Sequence, residues 1–197
     1  MKPLEDIYKS SFFGKRYRLD WRAKPVVNAV RLAFNMLPGD SVLDAGCAIG
    51  EYVREFQRQG YNAEGLEGSK RAMEFFVAEP IHIADLRKPL IKLNPYDVVM
   101  SLEVAEHIEP EYADMYVKNL IRLAKRSILI TAAPPGQGGH YHVNCQPQAY
   151  WAEKFFEQRW HRSFLREQIF KDSFEPHFRY RKEIRAYIQN VMVFRRS

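Results

Sequence analysis

Three acids and three histidines in this 197-residue chain are spaced for chemistry. Asp44 stands two residues before Gly46, where a carboxylate repels a pyrophosphate but receives an ammonium, directly or through water. Glu67 follows 23 residues later. Its two acceptor oxygens suit the paired hydroxyls of a ribose, unless the acid is simply solvated at a strand end. Asp85 is the third acid. His140 and His142 alternate with Tyr141 after Pro134-Pro135-Gly136-Gln137-Gly138-Gly139, so an extended loop would turn both imidazoles to one side. A neutral imidazole takes a proton near pH 7, which suits it to an acceptor hydroxyl; the alternative is that both rings only hold the loop by hydrogen bonds. His107, in Glu103-Val104-Ala105-Glu106-His107, either approaches the acceptor or closes a wall beside it. A metal on the paired histidines would need Glu103, Glu106 or His107 as further ligands, and no metal is expected.

The elements that must position these groups are legible from apolar patterning. Ser41 to Val53 reads as a buried strand, a turn of small residues and a helix, the first half of a βαβ unit. Ala45, Gly46, Ala48 and Gly50 let backbone approach a ligand, with Cys47 inside the loop and a helix start offering N–H groups beyond it. A dinucleotide loop would read Gly-x-Gly-x-x-Gly without the preceding acid, so the pattern favours a ligand that carries positive charge. Further strands are expected at 61–67, 81–86, 96–102, 127–132 and 190–194, with helices at 25–34, 70–78, 110–123 and 148–156. Strands alternating with helices make an α/β sheet that is buried on both faces.

Residues Val42 to Gly50 resemble the first motif of the class I S-adenosylmethionine (SAM) dependent methyltransferases, hydrophobic-hydrophobic-acid-x-Gly-x-Gly-x-Gly, with Ala48 in place of the middle glycine. The run from Asp97-Val98-Val99 to Glu103-x-x-Glu106-His107 resembles an element of many small-molecule members of that class. The likeness covers roughly residues 38–133, and the rest by layout. It implies a single Rossmann-like, doubly wound, seven-stranded and mostly parallel sheet with an antiparallel terminal strand. Residues 1–37 would form a helical cap, 38–133 the cofactor core, and 134–197 an acceptor loop and terminal strands. It also implies SAM as cofactor, held by Asp44, Ala45, Gly46, Cys47 and Gly50, with Glu67 and Gly68 at the ribose. Asp85 and Leu86 would meet the adenine, and Ser101, Leu102 and Glu103 would wall the methionine end. A cap helix covering the cofactor would bring Tyr17 or Trp21 onto it. The implied reaction is in-line methyl transfer to the oxygen of a sugar, a glycan or another polar small molecule, with a loop histidine as base.

Composition narrows the classes further. No apolar run approaches the roughly 18 to 20 residues of a membrane span, and residues 1–6 lack the apolar core of a signal peptide, so a cytoplasmic protein without a membrane partner is expected. Two cysteines without CxxC spacing fit neither a disulfide framework nor a zinc site. The net charge of +6 is uneven: residues 1–35 hold 8 basic against 3 acidic groups, residues 36–153 hold 11 against 16, and residues 154–197 hold 11 against 5. Basic ends with interleaved aromatics, such as Tyr8, Phe12, Tyr17 and Trp21 among Arg16, Arg18 and Arg22, leave RNA-directed methyl transfer as an alternative. Packing of those aromatics onto the sheet is the commoner arrangement. No Asn-Pro-Pro-Tyr or Asp-Pro-Pro-Tyr follows the fourth strand, which argues against methylation of base amino groups. A non-catalytic SAM-binding subunit is the remaining alternative, and the oligomeric state is left open.

Overall fold

Side chains on successive strand residues point to opposite faces, and this alternation divides the apolar residues between two layers. The computed structural model describes residues 1–15, 21–90 and 92–196. In β1 (Ser41–Ala45), Val42 joins one layer and Leu43 the other; in β4 (Tyr96–Leu102), Val98 and Met100 join the first and Val99 the second. The same holds in β5 (Ala124–Thr131) for Leu129 against Ile128 and Ile130, and in β7 (Val191–Arg196) for Val193 against Phe194. Helices α3 (Ala23–Phe34), α4 (Glu51–Arg58), α7 (Phe164–Asp172) and α9 (Lys182–Asn190) cover the first layer. The second lies under α5 (Ala113–Leu123) and α6 (Gln148–Glu157). A sheet sandwiched in this way needs near-continuous apolar strands, as β4 and β5 have.

With β2 (Asn62–Glu67), β3 (Ile81–Ile83) and β6 (Trp160–Arg162), the strand order is β3-β2-β1-β4-β5-β7-β6. Strands β1 to β5 pair in parallel, and β7 runs antiparallel between β5 and β6. The expected mixed seven-stranded sheet is therefore present. The chain reverses direction across this sheet between β1 and β4, so the carboxyl ends of β1, β2 and β4 open onto one crevice, the place where such sheets bind ligands.

Several boundaries differ from the sequence reading, each for a local reason. The segment expected to be helical at 70–78 is a 3₁₀ turn over Lys70–Phe75. Pro80 keeps Glu79 out of the α region, and the Val77 N–H turns back to bond Ile49 O at 2.9 Å. The stretch from 170 to 187, expected as a connection, holds the short α8 (Pro176–Arg179) and most of α9. Trp151 is fully buried against Tyr116 and belongs to the core, and β6 was not foreseen. In the N-terminal cap, α1 (Leu4–Ile7) and α2 (Ser10–Gly14) put Phe13 against Ala48, Ile49 and Ala72, so these aromatics do pack.

Candidate active site

The turn after β1 is fixed by its own backbone. Gly46 and Cys47 both donate N–H bonds to Leu66 O, at 2.7 and 3.0 Å, which locks the turn to β2. Gly46 has φ +91°, and a Cβ there would drive into the Val104 side chain, so only glycine satisfies both the angle and the space. The end of β2 presents Glu67, whose Oε2 accepts the Ala48 N–H at 3.0 Å while Oε1 accepts the Ser69 N–H at 2.8 Å. These bonds aim the carboxylate at a cavity of about 340 Å³.

One flank of that cavity, from the ends of β1 to β3, is made by Gly46, Ala48, Glu67, Gly68, Asp85 and Leu86; a second, from the end of β4 and the loop after β5, holds Leu102, Glu103, His107, His140 and His142. Leu4 of α1, Phe12 and Phe13 of α2, and Tyr8 between the two helices form its roof. The other expected cofactor residues lie deeper. Asp44 is buried below the cavity surface, as is Ala45. Ser101 donates to Ala45 O at 2.7 Å and accepts from the Tyr116 hydroxyl at 2.9 Å, so it braces β1 against β4. Cys47 fills the space left by Gly65, and burial followed by the nearby Asp44 pushes its thiol well above the ordinary range. Gly50, at φ +84°, begins α4. Tyr17 lies outside the described residues; Trp21 stacks on Phe178 with Arg181 4.9 Å above it and does not line the cavity.

The three histidines do meet in the cavity, by a route other than an extended loop. Tyr141 sits at φ +53° and turns the chain between His140 and His142. His140 bonds through Nε2 to Ile7 O at 2.9 Å, which places the proton on Nε2 and leaves Nδ1 as the acceptor. His107 and His142 each engage a backbone carbonyl through Nδ1, Tyr141 O at 3.1 Å and Gln137 O at 3.0 Å. Only a glycine at 139 gives the His142 ring room to lie where it does. Glu103 occupies the left-handed region at φ +54°, with its N–H on Thr131 Oγ1 at 2.8 Å and its carboxylate reached by Gln137 Nε2 at 3.3 Å. Such an angle in a glutamate is a strain that clusters at functional positions.

Sequence reasoning missed three parts of this site. The first is a buried clip in which Arg22 donates to Tyr187 OH at 3.0 Å and to Glu51 Oε1 at 3.1 Å, with Tyr52 OH a further 3.0 Å from Tyr187 OH. The second is Arg87, which grips Asp85 through Nε at 3.0 Å and Nη2 at 2.9 Å and also reaches Glu109 at 2.9 Å. Burial alone would raise the Asp85 carboxyl, but the Arg87 guanidinium and N–H outweigh it and hold the group below its usual value. The third is Tyr8 in the roof, whose phenol is driven up by burial and then by Glu67 and Glu106, so it stays protonated. Arg22 and Tyr8 had a sequence signal, as a cation and an aromatic of the basic N-terminal segment, and Arg87 had none.

The profile of the methyltransferase-domain family matches residues 20–175, which contain the glycine turn, Glu67 and the three histidines. The chain belongs to this family. Among curated relatives, this methyltransferase is 26% identical over 125 residues to the ubiquinone biosynthesis O-methyltransferase of Rickettsia typhi, an alignment covering 59% of this chain and 50% of that protein. The chain thus spans about half the length of the curated relatives it matches. Magnesium protoporphyrin IX methyltransferase (ChlM) from Synechocystis, crystallised with bound SAH, superposes with a TM-score of 0.64 at 19% identity, over 92% of this chain and 85% of that one. The sugar N-methyltransferase KedS8 from Streptoalloteichus superposes with a TM-score of 0.63 at 17% identity, over 91% and 92%. At these identities the superpositions establish the fold, the class I methyltransferase sheet. No helix among the described residues is long and apolar enough to cross a membrane.

The acid flank of this methyltransferase fits an adenosyl cofactor on its own geometry. A Cβ on Gly46 or Gly68 would be blocked by neighbouring side chains, so bare backbone lines the cavity there. Glu67, fixed by two N–H donors, keeps lone pairs for two adjacent hydroxyls.

Proposed function

We propose that this methyltransferase transfers the sulfonium methyl of SAM to a hydroxyl oxygen of a compact acceptor with a flat apolar face, a sugar ring or a hydroxylated aromatic ring. The observation that carries the reading is one cavity with two unlike flanks, an acid and glycine flank for the cofactor and an imidazole flank under the aromatic roof. The cofactor is SAM, its ribose on Glu67 and its adenine beside Asp85 and Leu86. The acceptor lies under Tyr8 and Phe12, whose rings stand 5.9 and 5.8 Å from the His140 ring.

His140 is the base. With Nε2–H tied to Ile7 O, its Nδ1 lone pair takes the hydroxyl proton as the oxygen attacks the methyl carbon and the C–S bond breaks. Orientation of the two reactants supplies most of the acceleration, in favourable cases about 7 to 11 kcal/mol. The O-methyltransferase relatives from Rickettsia support oxygen as the target, and the sugar N-methyltransferase fold relative supports a small polar acceptor.

The test is transfer of labelled methyl from SAM to parallel sets of sugars, hydroxylated aromatics and RNA. Label in a small hydroxylated acceptor is expected, with His140→Ala lowering turnover by roughly 10²- to 10⁴-fold while SAH affinity stays within experimental error. Label confined to RNA would move the acceptor site to the basic segments. SAH binding with no transfer to any set would favour the non-catalytic subunit.

A further inference from the structure

Beneath the imidazole flank, Glu106, His107 and His142 each offer a ligand atom, and the three atoms lie within 4.8 Å of one another. We propose that Glu106, His107 and His142 form a site for a first-row divalent transition metal, with its open positions facing the acceptor end of the cavity.

Burial, spacing and the contacts around the three residues carry this. Glu106 is fully buried with the Glu103 carboxylate beside it, and neither of its oxygens makes a well-formed hydrogen bond to a donor among the described residues. A buried carboxylate is neutralised by a proton or compensated by a partner, and a cation is the strongest partner available. His142 brings Nε2 to 4.0 Å from Glu106 Oε1. Metal bonds of about 2.0 to 2.2 Å place ligand atoms roughly 3 to 4 Å apart, so this pair is already spaced for one ion and the widest separation needs less than about 1 Å of closure.

The surroundings are those of a ligand set. Both imidazoles direct Nδ1 at a backbone carbonyl, which is the outer contact that fixes the ring and tautomer of a metal-binding histidine. The loop that carries His142 is pinned to the ligand turn itself, because Val143 and Asn144 both donate N–H bonds to Glu106 O at 3.0 Å. Loop and turn therefore arrive together. His107 and His142 line the cavity whereas Glu106 lies under it, so further coordination positions point to where an acceptor oxygen would sit. Two imidazoles and one carboxylate suit zinc, iron(II) or manganese(II) over magnesium or calcium, which prefer all-oxygen sets. Polarisation of a bound hydroxyl by the ion would ease the proton's passage to His140. That acceptor role rests on the methyl-transfer reading; the site itself does not.

The experiment uses the full chain after treatment with a chelator, titrated with Zn²⁺, Mn²⁺ and Co²⁺ by calorimetry, with the visible bands of bound Co²⁺ as a second readout. One ion per chain is expected. Glu106→Gln and His142→Ala should each weaken it by more than the roughly 10- to 100-fold that loss of an outer contact costs, and His161→Ala, on the distant β6, should leave it unchanged. Glu106→Gln keeps the buried shape, and should it fail to fold, His142→Ala in the half-buried loop still decides. No stoichiometric ion, or binding that neither ligand variant weakens, would overturn the site. SAH titrations on the same samples separate the two readings: SAH binding by a protein that takes up no metal removes this inference alone, and metal uptake by a protein that binds no SAH removes the cofactor assignment alone.

Discussion

Gly46 and Gly136 have almost the same backbone, φ +91° and +88°, yet they sit in opposite surroundings. A side chain on Gly46 would strike Val104; one on Gly136 would meet nothing within 4 Å. Gly46 lines the cavity, and Gly136 lies in the loop that leads to His140 and His142. On the cofactor flank the backbone lies against its neighbours, and Gly46, Gly65 and Gly68 leave no room for a side chain. On the imidazole flank the loop is held by a few bonds to carbonyls, with Gly139 making room for the His142 ring. The cofactor flank is thus built as part of the core, and the acceptor flank is draped over it.

The largest effect should come from breaking that asymmetry. Gly46→Ala is expected to abolish SAH binding or folding outright, whereas Gly136→Ala should cost only the roughly 1 to 2 kcal/mol of a left-handed L-residue, read as a lower melting temperature with SAH affinity kept. Equal losses in the two variants would show that both flanks are equally packed. Next, Glu67→Gln removes the charge and one acceptor oxygen while keeping the shape. It should weaken SAH by about 1.5 to 3 kcal/mol in calorimetry, and unchanged affinity would remove the ribose assignment.

The smallest effect is a pH dependence confined to the cofactor flank. Because Arg87 holds the Asp85 carboxyl below its usual value of about 3.9, the stability this pair contributes is complete above that value and is lost as pH falls through the lower folded value. Asp85→Asn should therefore lower the melting temperature at pH 6 and flatten its fall below pH 4. Parallel curves for the two proteins would show that the pair adds no acid-dependent stability.

How far each flank could be read in the sequence follows from the same contrast. Val42 to Gly50 and the acid at Glu67 were legible because a buried strand, a tight turn and a second strand ending at the same edge each leave a residue pattern at a fixed separation. The histidines were legible as a cluster but not in their geometry, since the turn at Tyr141 needs a left-handed residue that no sequence rule marks in a tyrosine. Burial of Glu106 was invisible: an acid in a polar motif reads as solvated until Ala105 and the loop at 143–144 are folded over it. Arg22 and Tyr187, 165 residues apart, could not be joined by any local pattern.

That last bond reaches beyond the site. Arg22 couples the segment before α3 to the first residue of α4 and to α9, and every partner is buried. The helix that opens behind the glycine turn is thereby buttoned to stretches translated long before and long after it. A nascent chain that has produced only β1 to β4 holds the cofactor motif with Arg22 and Glu51 but without Tyr187, the other half of its fastening. The cradle becomes rigid late, as a property of the whole cooperative unit, and amide protons in the β1 turn should exchange with solvent only when α9 also lets go.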